Sequence, residues 1–596
     1  MKKILSVIFS SLLICSAAAC SPVSEPAASS DAAAGESMLS TESISSEETA
    51  ADDNAPSDSE EPSVNEEESL PSKVDLRDYN GKNYVTPVKR QAFGDCWSFG
   101  NIAAAESSYL YVNELGVPAG ENNFNVNFSE RYLSWYVYHS ITEEDVKVGK
   151  VRASQVGEGY DVSQAESKHQ NAVFNLGVAG LSGTAFFASG FGPVDESTEV
   201  NGVYPYAYSD KNERNEIDEY YENYSQSGDW SIPLNALYRN PPISALLRNG
   251  SFLPSPASKD ANGNYVYNED GVNAIRSEIA KGHAVSVAAL VFGRMNYDNW
   301  ATYTTADEQN HVITIVGYDD DYPKENFAKT NDVGETDPDS IPPTDGAFII
   351  KDSNGENGGY DGMGSFYISY HDHTLAFPIS FEFDRADSVK YTTLNYDQYD
   401  LLMIGWCASA DYDSETKMAN VFDAEEDEYL YQLTYRTKAP DTSVHYEVYK
   451  APQDGNPDSG ELLEEGDSVH RFGGSHKIDL RQTYRLSKGE KYSVVLTMTR
   501  KTDDGASVYT DVIPYATDLP GEITAKAVVN KGESFLYSGG KWLDMTEMTD
   551  ELKKTAYEQN LREAMPANYY AKSADNVVID NFPIKALLIP AGEYAE

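Results

Sequence analysis

The stretch LPSKVDLRDYNGKNYVTPVKRQAFGDCWSFGNIAAAESSYLYV, residues 70–112, decides the fold. After a Gly-containing turn, Phe99, Ile102, Ala103, Tyr109 and Val112 recur at roughly helical spacing. The pattern predicts a buried helix opened by Cys96, with Asp95 at or beside its N-cap. Unpaired amides and aligned peptide dipoles at a helix N-terminus stabilise an anion, and thiolate is the nucleophilic form of cysteine. A nearby imidazole completes a thiolate-imidazolium pair, so the chain has to supply a histidine from elsewhere. Taken alone, a single Cys before Trp is more often an inert core residue.

NHVITIVGYDDDY, residues 310–322, supplies that histidine. Val312 to Val316 form an unbroken β-branched run ended by Gly317, and His311 stands at its start. A strand-borne imidazole is held by a rigid scaffold, as a general base must be. Just upstream, VNAIRSEIAKGHAVSVAALVFG, residues 272–293, reads as a helix followed by an apolar strand. His371 and His373 in SYHDHT have no matching ligand cluster and read as a solvated strand end, so no metal and no cofactor is expected.

VDLRD, TPVKRQ, CWSF and Glu106 together resemble the start of a mature papain-family cysteine peptidase domain. FSERYLSW at 128–135, FGPVDE at 191–196, YPY at 204–206 and VGYDD after His311 are similar to further landmarks of that family, in the same order. FNLGVAGLSG at 174–183 is the candidate Gly-rich strip along which substrate backbone pairs. GAFIIKDSNGENGGYDGMGSFYISY, residues 346–370, resembles the family's strand, Lys, Asn, Ser, Trp, Gly motif. Aligning Lys351, Ser353 and Gly355 places Asp352 where Asn is usual and Asn354 where a shielding Trp is usual, which implies a wetter site. Phe93 stands where the family has a disulfide cysteine, and Gln91 to Cys96 is one residue shorter than usual. The resemblance, over residues 70–384, implies Cys96 as nucleophile, His311 as base, Asp352 as the residue orienting the imidazole, and Gln91 as an oxyanion donor.

Outward from this core, MKKILSVIFSSLLICSAAAC at 1–20 has a basic start, a short apolar run and small residues before Cys20, the pattern of an export signal. Cys20 after three alanines resembles a bacterial lipobox, which implies lipidation of Cys20; simple cleavage and secretion is the alternative. Residues 21–71 are acidic and poor in large apolar side chains, so they read as a disordered tether. No inhibitory pro-domain is legible there, and the expected location is the outer face of a bacterial cell membrane or the medium. A formal net charge of -51 argues against nucleic acid as a partner. With Cys15 and Cys20 in the leader, Cys96 and Cys407 remain in separate regions, which disfavours a disulfide and leaves a free thiol to explain.

The expected fold class is α+β: a papain-like two-lobed domain at 72–388, then an all-β sandwich at 389–596. LTYRTK, HYEVYK, KYSVVLTMTR and NVVID cluster β-formers between turns, and NYDQYD, ANVFDA and ESFLYSGGKWLD resemble a lectin-like domain of bacterial surface proteins. That resemblance implies a cell-surface glycan as candidate ligand, beside protein or peptide substrates for the first domain. Cys407 reads as a core residue, and the acidic stretches DYDSE and DAEEDE as a solvated face. The rival reading is an adhesion protein whose papain-like domain has lost activity, favoured by the changes at Asp352, Asn354 and the shortened loop.

Overall fold

The computed structural model describes residues 70–594 except 148–152, 169–170, 178–180, 198–229, 235–242, 261–263, 292–294, 307, 331–335, 356–358, 387–391, 395, 398–406, 409–410, 503–504, 519–522, 557–574 and 576. The leader, Cys20, the tether and YPY at 204–206 lie outside the described residues, as does part of the Gly-rich segment at 174–183.

Helix α1 (Cys96–Val112) begins at the residue expected and is buried on nearly every side. Helix α2 (Glu130–Tyr136) starts at Ser129, whose Oγ accepts the Tyr132 amide at 3.0 Å, closing one of the amides a helix start leaves open. Helix α3 (Glu269–Ala280) buries Val272, Ile275 and Ile279 along one face. The N-terminal half is built on strands β1 (Ala245–Phe252), β2 (Val285–Ala289), β3 (His311–Asp319), β4 (Ala347–Lys351), β5 (Ser365–Ser369) and β6 (Ala376–Arg385). They pair in the order β1, β6, β2, β3, β4, β5.

β3 reads as a continuous apolar run because it is covered on both faces. Val312 shares a core with Phe99 and Ile102 of α1, while Ile313 and Ile315 share another with Ile275 and Ile279 of α3. The helix comes close at Gly100, where a Cβ would lie 2.7 Å from Val312 Cγ1 and 2.8 Å from Ser286 Oγ. That approach brings the start of α1 to the start of β3. Gly317 does not end the strand: β3 runs on to Asp319 and pairs there with Lys73–Asp75, and a Cβ on Gly317 would meet Val74 O at 2.5 Å. The glycine admits a crossing backbone rather than a turn.

The C-terminal half contributes β7 (Lys417–Asp423), β8 (Glu428–Thr437), β9 (Thr442–Lys450), β10 (Glu461–His470), β11 (Gly473–Leu486), β12 (Lys491–Lys501), β13 (Ser534–Ser538) and β14 (Ile584–Pro590). β7, β9, β10, β12 and β13 belong to one sheet; β14, β8 and β11 belong to a second. The sheets enclose one core, with Leu430, Leu433 and Leu588 of the second meeting Val448, Val494 and Leu496 of the first. Cys407 lies in the short strand Cys407–Ala408, paired with Pro514 and Ile513.

The halves are not strung end to end. β11 pairs with β1, His476 opposite Asn249 and Gly473 opposite Phe252, so the second C-terminal sheet continues the N-terminal one; among the described residues the joint sheet counts thirteen strands. A separate ladder joins Gly159–Asp161 to Thr524–Lys526, and Lys526 Nζ lies 2.9 Å from Asp161 Oδ2.

Candidate active site

β3 and β4 are antiparallel neighbours, with Thr314 opposite Lys351, so the first residue of β3 and the residue after β4 lie at the same edge of the sheet. This register brings His311 beside Asp352. α1, docked on β3 through Gly100, carries Cys96 at its first residue. Cys96 is a free cysteine and keeps 8% of its surface exposed.

His311 Nε2 pairs with Asp352 Oδ1 at 2.8 Å, and the imidazole is 0% exposed. With Nε2 taken, Nδ1 is the ring nitrogen left for the thiol, and the nearby Cys96 adds to the raising of the imidazole. Burial alone disfavours an imidazolium. The Asp352 hydrogen bond and charge, with Cys96 adding to them, outweigh it and hold His311 well above the ordinary histidine range. Asp352 is the converse case. Burial pushes its carboxyl up, but the charge of His311 and bonds from His311, Asn354 and the Ser353 amide hold it below its ordinary value. Its Oδ1 also accepts the Ser353 N–H at 2.8 Å, and its Oδ2 accepts Asn354 Nδ2 at 2.8 Å.

Gln91 reaches the same place, although the segment to Cys96 is short. Its Oε1 accepts Ser353 Oγ at 2.5 Å and its Nε2 donates to Phe93 O at 2.8 Å, so one amide N–H turns into the loop that leads to α1. The backbone on either side is clipped to the segment after β4: Gln91 N donates to Ser353 O at 2.8 Å, Gly355 N donates to Lys89 O at 3.1 Å, and Arg90 bridges Asn354.

Beneath the site lies a buried charge cluster to which no role attaches from local sequence. Lys89 Nζ donates to Glu130 Oε1 at 2.8 Å and to Phe128 O at 2.9 Å, and lies 3.6 Å from Glu106 and 3.7 Å from Glu196. Burial would lower this ammonium, but the three carboxylates outweigh burial and hold it above the ordinary lysine range. Lys351 Nζ donates to Thr86 Oγ1 at 2.8 Å; burial pulls its ammonium down to about 8. Lys89 and Glu106 sit in motifs that mark the family resemblance, but their meeting is visible only in three dimensions.

The histidines of SYHDHT are not a solvated strand end. His371 stacks on Tyr267 at 4.2 Å and His373 on Tyr265 at 4.7 Å, while buried Asp372 accepts from the Thr304 and Thr374 amides. Among the described residues His445, Glu447 and Glu465 bring metal-ligating atoms within 4.8 Å of one another, but Lys417 already faces Glu447 at 3.7 Å. Cys96, His311, Asp352 and Gln91 thus meet at one edge, and Cys20 lies outside the described residues.

A family model described as a lectin-like domain matches residues 397–555. The chain is similar in structure to a clostridial cysteine protease, Cwp84 after propeptide cleavage, with 20% identity, TM-score 0.56, and coverage of 87% of this chain and 99% of that one. It is likewise similar to the cysteine protease and lectin-like domains of Cwp84, a surface layer associated protein of Clostridium difficile, with 18% identity, TM-score 0.57, and coverage of 87% and 89%. Comparison with curated proteins finds no match. The fold is therefore that of a papain-like two-lobed domain followed by a lectin-like β-sandwich.

Proposed function

We propose that the chain is an exported cysteine peptidase that hydrolyses peptide bonds through Cys96, His311 and Asp352. The observation that carries the reading is an imidazole clamped by Asp352 at 2.8 Å, with a helix-borne thiol on its other side. Cys96 Sγ attacks the substrate carbonyl carbon, and the oxyanion is met by the Cys96 N–H and the Gln91 amide N–H not used by Phe93 O. His311 gives its proton to the leaving amine as the C–N bond breaks, which leaves a thioester. Water then attacks the thioester, giving its proton to His311, and the acid product departs with Sγ restored as thiolate. Asp352 keeps the imidazole in one tautomer and stabilises its charge.

The leader and Cys20 support a lipid-anchored or secreted location, with residues 21–71 as tether. Domain limits at 72–388 and 389–596 belong to the same reading. The likeness to a surface layer associated protease supports protein substrates at the cell surface, and the lectin-like match supports a glycan ligand for the C-terminal half.

The rival, an adhesion protein with an idle papain-like domain, draws on the Gln91 N–H committed to Phe93 O. Titration with an epoxide probe or iodoacetamide separates them. Labelling of Cys96 well above the rate of a free thiol, lost in Cys96→Ala together with peptide cleavage, is expected. Labelling at the free-thiol rate would defeat the peptidase reading.

A further inference from the structure

We propose that Asn354 is a positioning residue: its side-chain amide holds the second oxygen of Asp352 and so keeps the orienting carboxylate ionised and in plane with His311. The inference rests on the Cys96–His311–Asp352 reading and deepens it.

Asp352 Oδ1 is shared between His311 Nε2 and the Ser353 amide, each at 2.8 Å, and Oδ2 takes Asn354 Nδ2 at 2.8 Å. Asn354 is exposed while the Asp352 side chain is 12% exposed, so the bond between them lies near the surface. Its backbone is not free to drift, because Arg90 bridges it and Gly355 N donates to Lys89 O at 3.1 Å. A carboxylate with two oxygens and three donors is fixed in rotation as well as in charge, whereas one held only through Oδ1 can swing its other oxygen toward water. The charged and titratable groups around it are His311 from β3, Cys96 from α1, Arg90, whose side chain lies against Gly355, and, lining the cavity behind it, Lys351, Lys89 and Glu130. Where the sequence suggests an unshielded site, the structure supplies a polar cap instead of an aromatic one.

The sign follows from the donor. An N–H to Oδ2 favours the ionised carboxyl, so its removal lets Asp352 protonate at higher pH, and the thiolate-imidazolium pair fails earlier on acidification. The test is the pH dependence of Cys96 alkylation by iodoacetamide, which needs no substrate. Asn354→Ala should move the acid limb upward by about half to one pH unit, roughly a threefold to tenfold slowing at a fixed acidic pH, with an unchanged thermal midpoint. Asn354→Asp, which sets a second carboxylate beside the first, should move it further. In an Asp352→Asn background Asn354→Ala should have almost no effect. An acid limb that overlays the parent, a smaller shift in Asn354→Asp than in Asn354→Ala, or an equal shift without the carboxylate overturns the inference. A chain that shows the expected profile but cleaves no peptide overturns the hydrolysis and leaves Asn354 in this role.

Discussion

His311 at the head of β3 and His476 on β11 are 1% and 3% exposed, one in each half of the molecule. Burial acts on both in the same direction, against the charged ring. His311 has Asp352 against Nε2 and is held well above the ordinary range. His476 has Thr437 Oγ1 at 2.9 Å, and the ring of His470 stacks on it at 3.6 Å; burial, then the charges of His470 and Arg436, hold it well below that range. His470 itself, bonded to Tyr435 and Ser468, is lowered by burial to about 4. A buried histidine is thus neither acid nor base by its depth. For these two rings the first neighbour on the ring nitrogen decides which: a carboxylate for His311, a hydroxyl for His476.

The hardest way to break this contrast is to take the anion away. Asp352→Ala should make His311 resemble His476, and alkylation of Cys96 and peptide cleavage should fall by about 10²–10³-fold, read at neutral pH. Asp352→Asn, which installs the residue usual at this position in the resembled family, keeps a hydrogen-bond acceptor for the ring and should lose less than the alanine variant. A loss as large as that of the alanine variant would show that charge, not orientation, is what the ring needs.

A smaller effect probes how the thiol reaches the ring at all. Gly100→Ala would push α1 off β3, since a Cβ there meets Val312 and Ser286 at under 3 Å. About a tenfold drop in alkylation rate with little loss of secondary structure is expected. An unchanged rate would mean that α1 is held against β3 through other contacts.

The smallest effect is in the C-terminal half. His470 and His476 are buried neutral, so their folded values lie below the unfolded 6.5; the stability they allow is complete above that value and declines as pH falls from 6.5 toward about 4. Because His476 sits opposite Asn249 in the joint sheet, the weakening should appear at the junction of the halves. Limited proteolysis between pH 7 and 4.5 should show cleavage between the halves rising in this window, with a stability change on the order of 1–3 kcal/mol. His476→Gln should flatten the trend, and a pH-independent cleavage rate would remove the contrast between the two rings.

The residues proposed to carry chemistry stand where a one-dimensional pattern marks a boundary, which is why they could be picked out at all. Cys96 opens a helical period, His311 opens a β-branched run, and Asp352 follows the apolar strand that ends at Lys351. Asn354 was visible only as a replacement, because its bond to Asp352 depends on a turn that folds two nearby residues toward each other. The Lys89 cluster gathers Glu106, Glu130 and Glu196 from segments with no shared period, so only packing reveals it. Gly317 misled for a related reason: a glycine in a β-run looks like a stop, and the strand that crosses it lies more than two hundred residues upstream, about Val74. The pairing of β1 with β11 had no signature either. ALLRNGSF, the sequence of β1, does not alternate cleanly, and its partner is a strand of the other half.

That joint sheet bears on how the protein comes into being. The ladder carrying His311 is continuous, through β1 and β11, with β14 at Ile584–Pro590, so its hydrogen bonds close only after nearly the whole described chain has emerged. Pairings between such distant segments form late and slowly. Excising either half would bare the backbone edge of β1 or β11, an invitation to intermolecular strand addition, so neither half should behave as an interchangeable module.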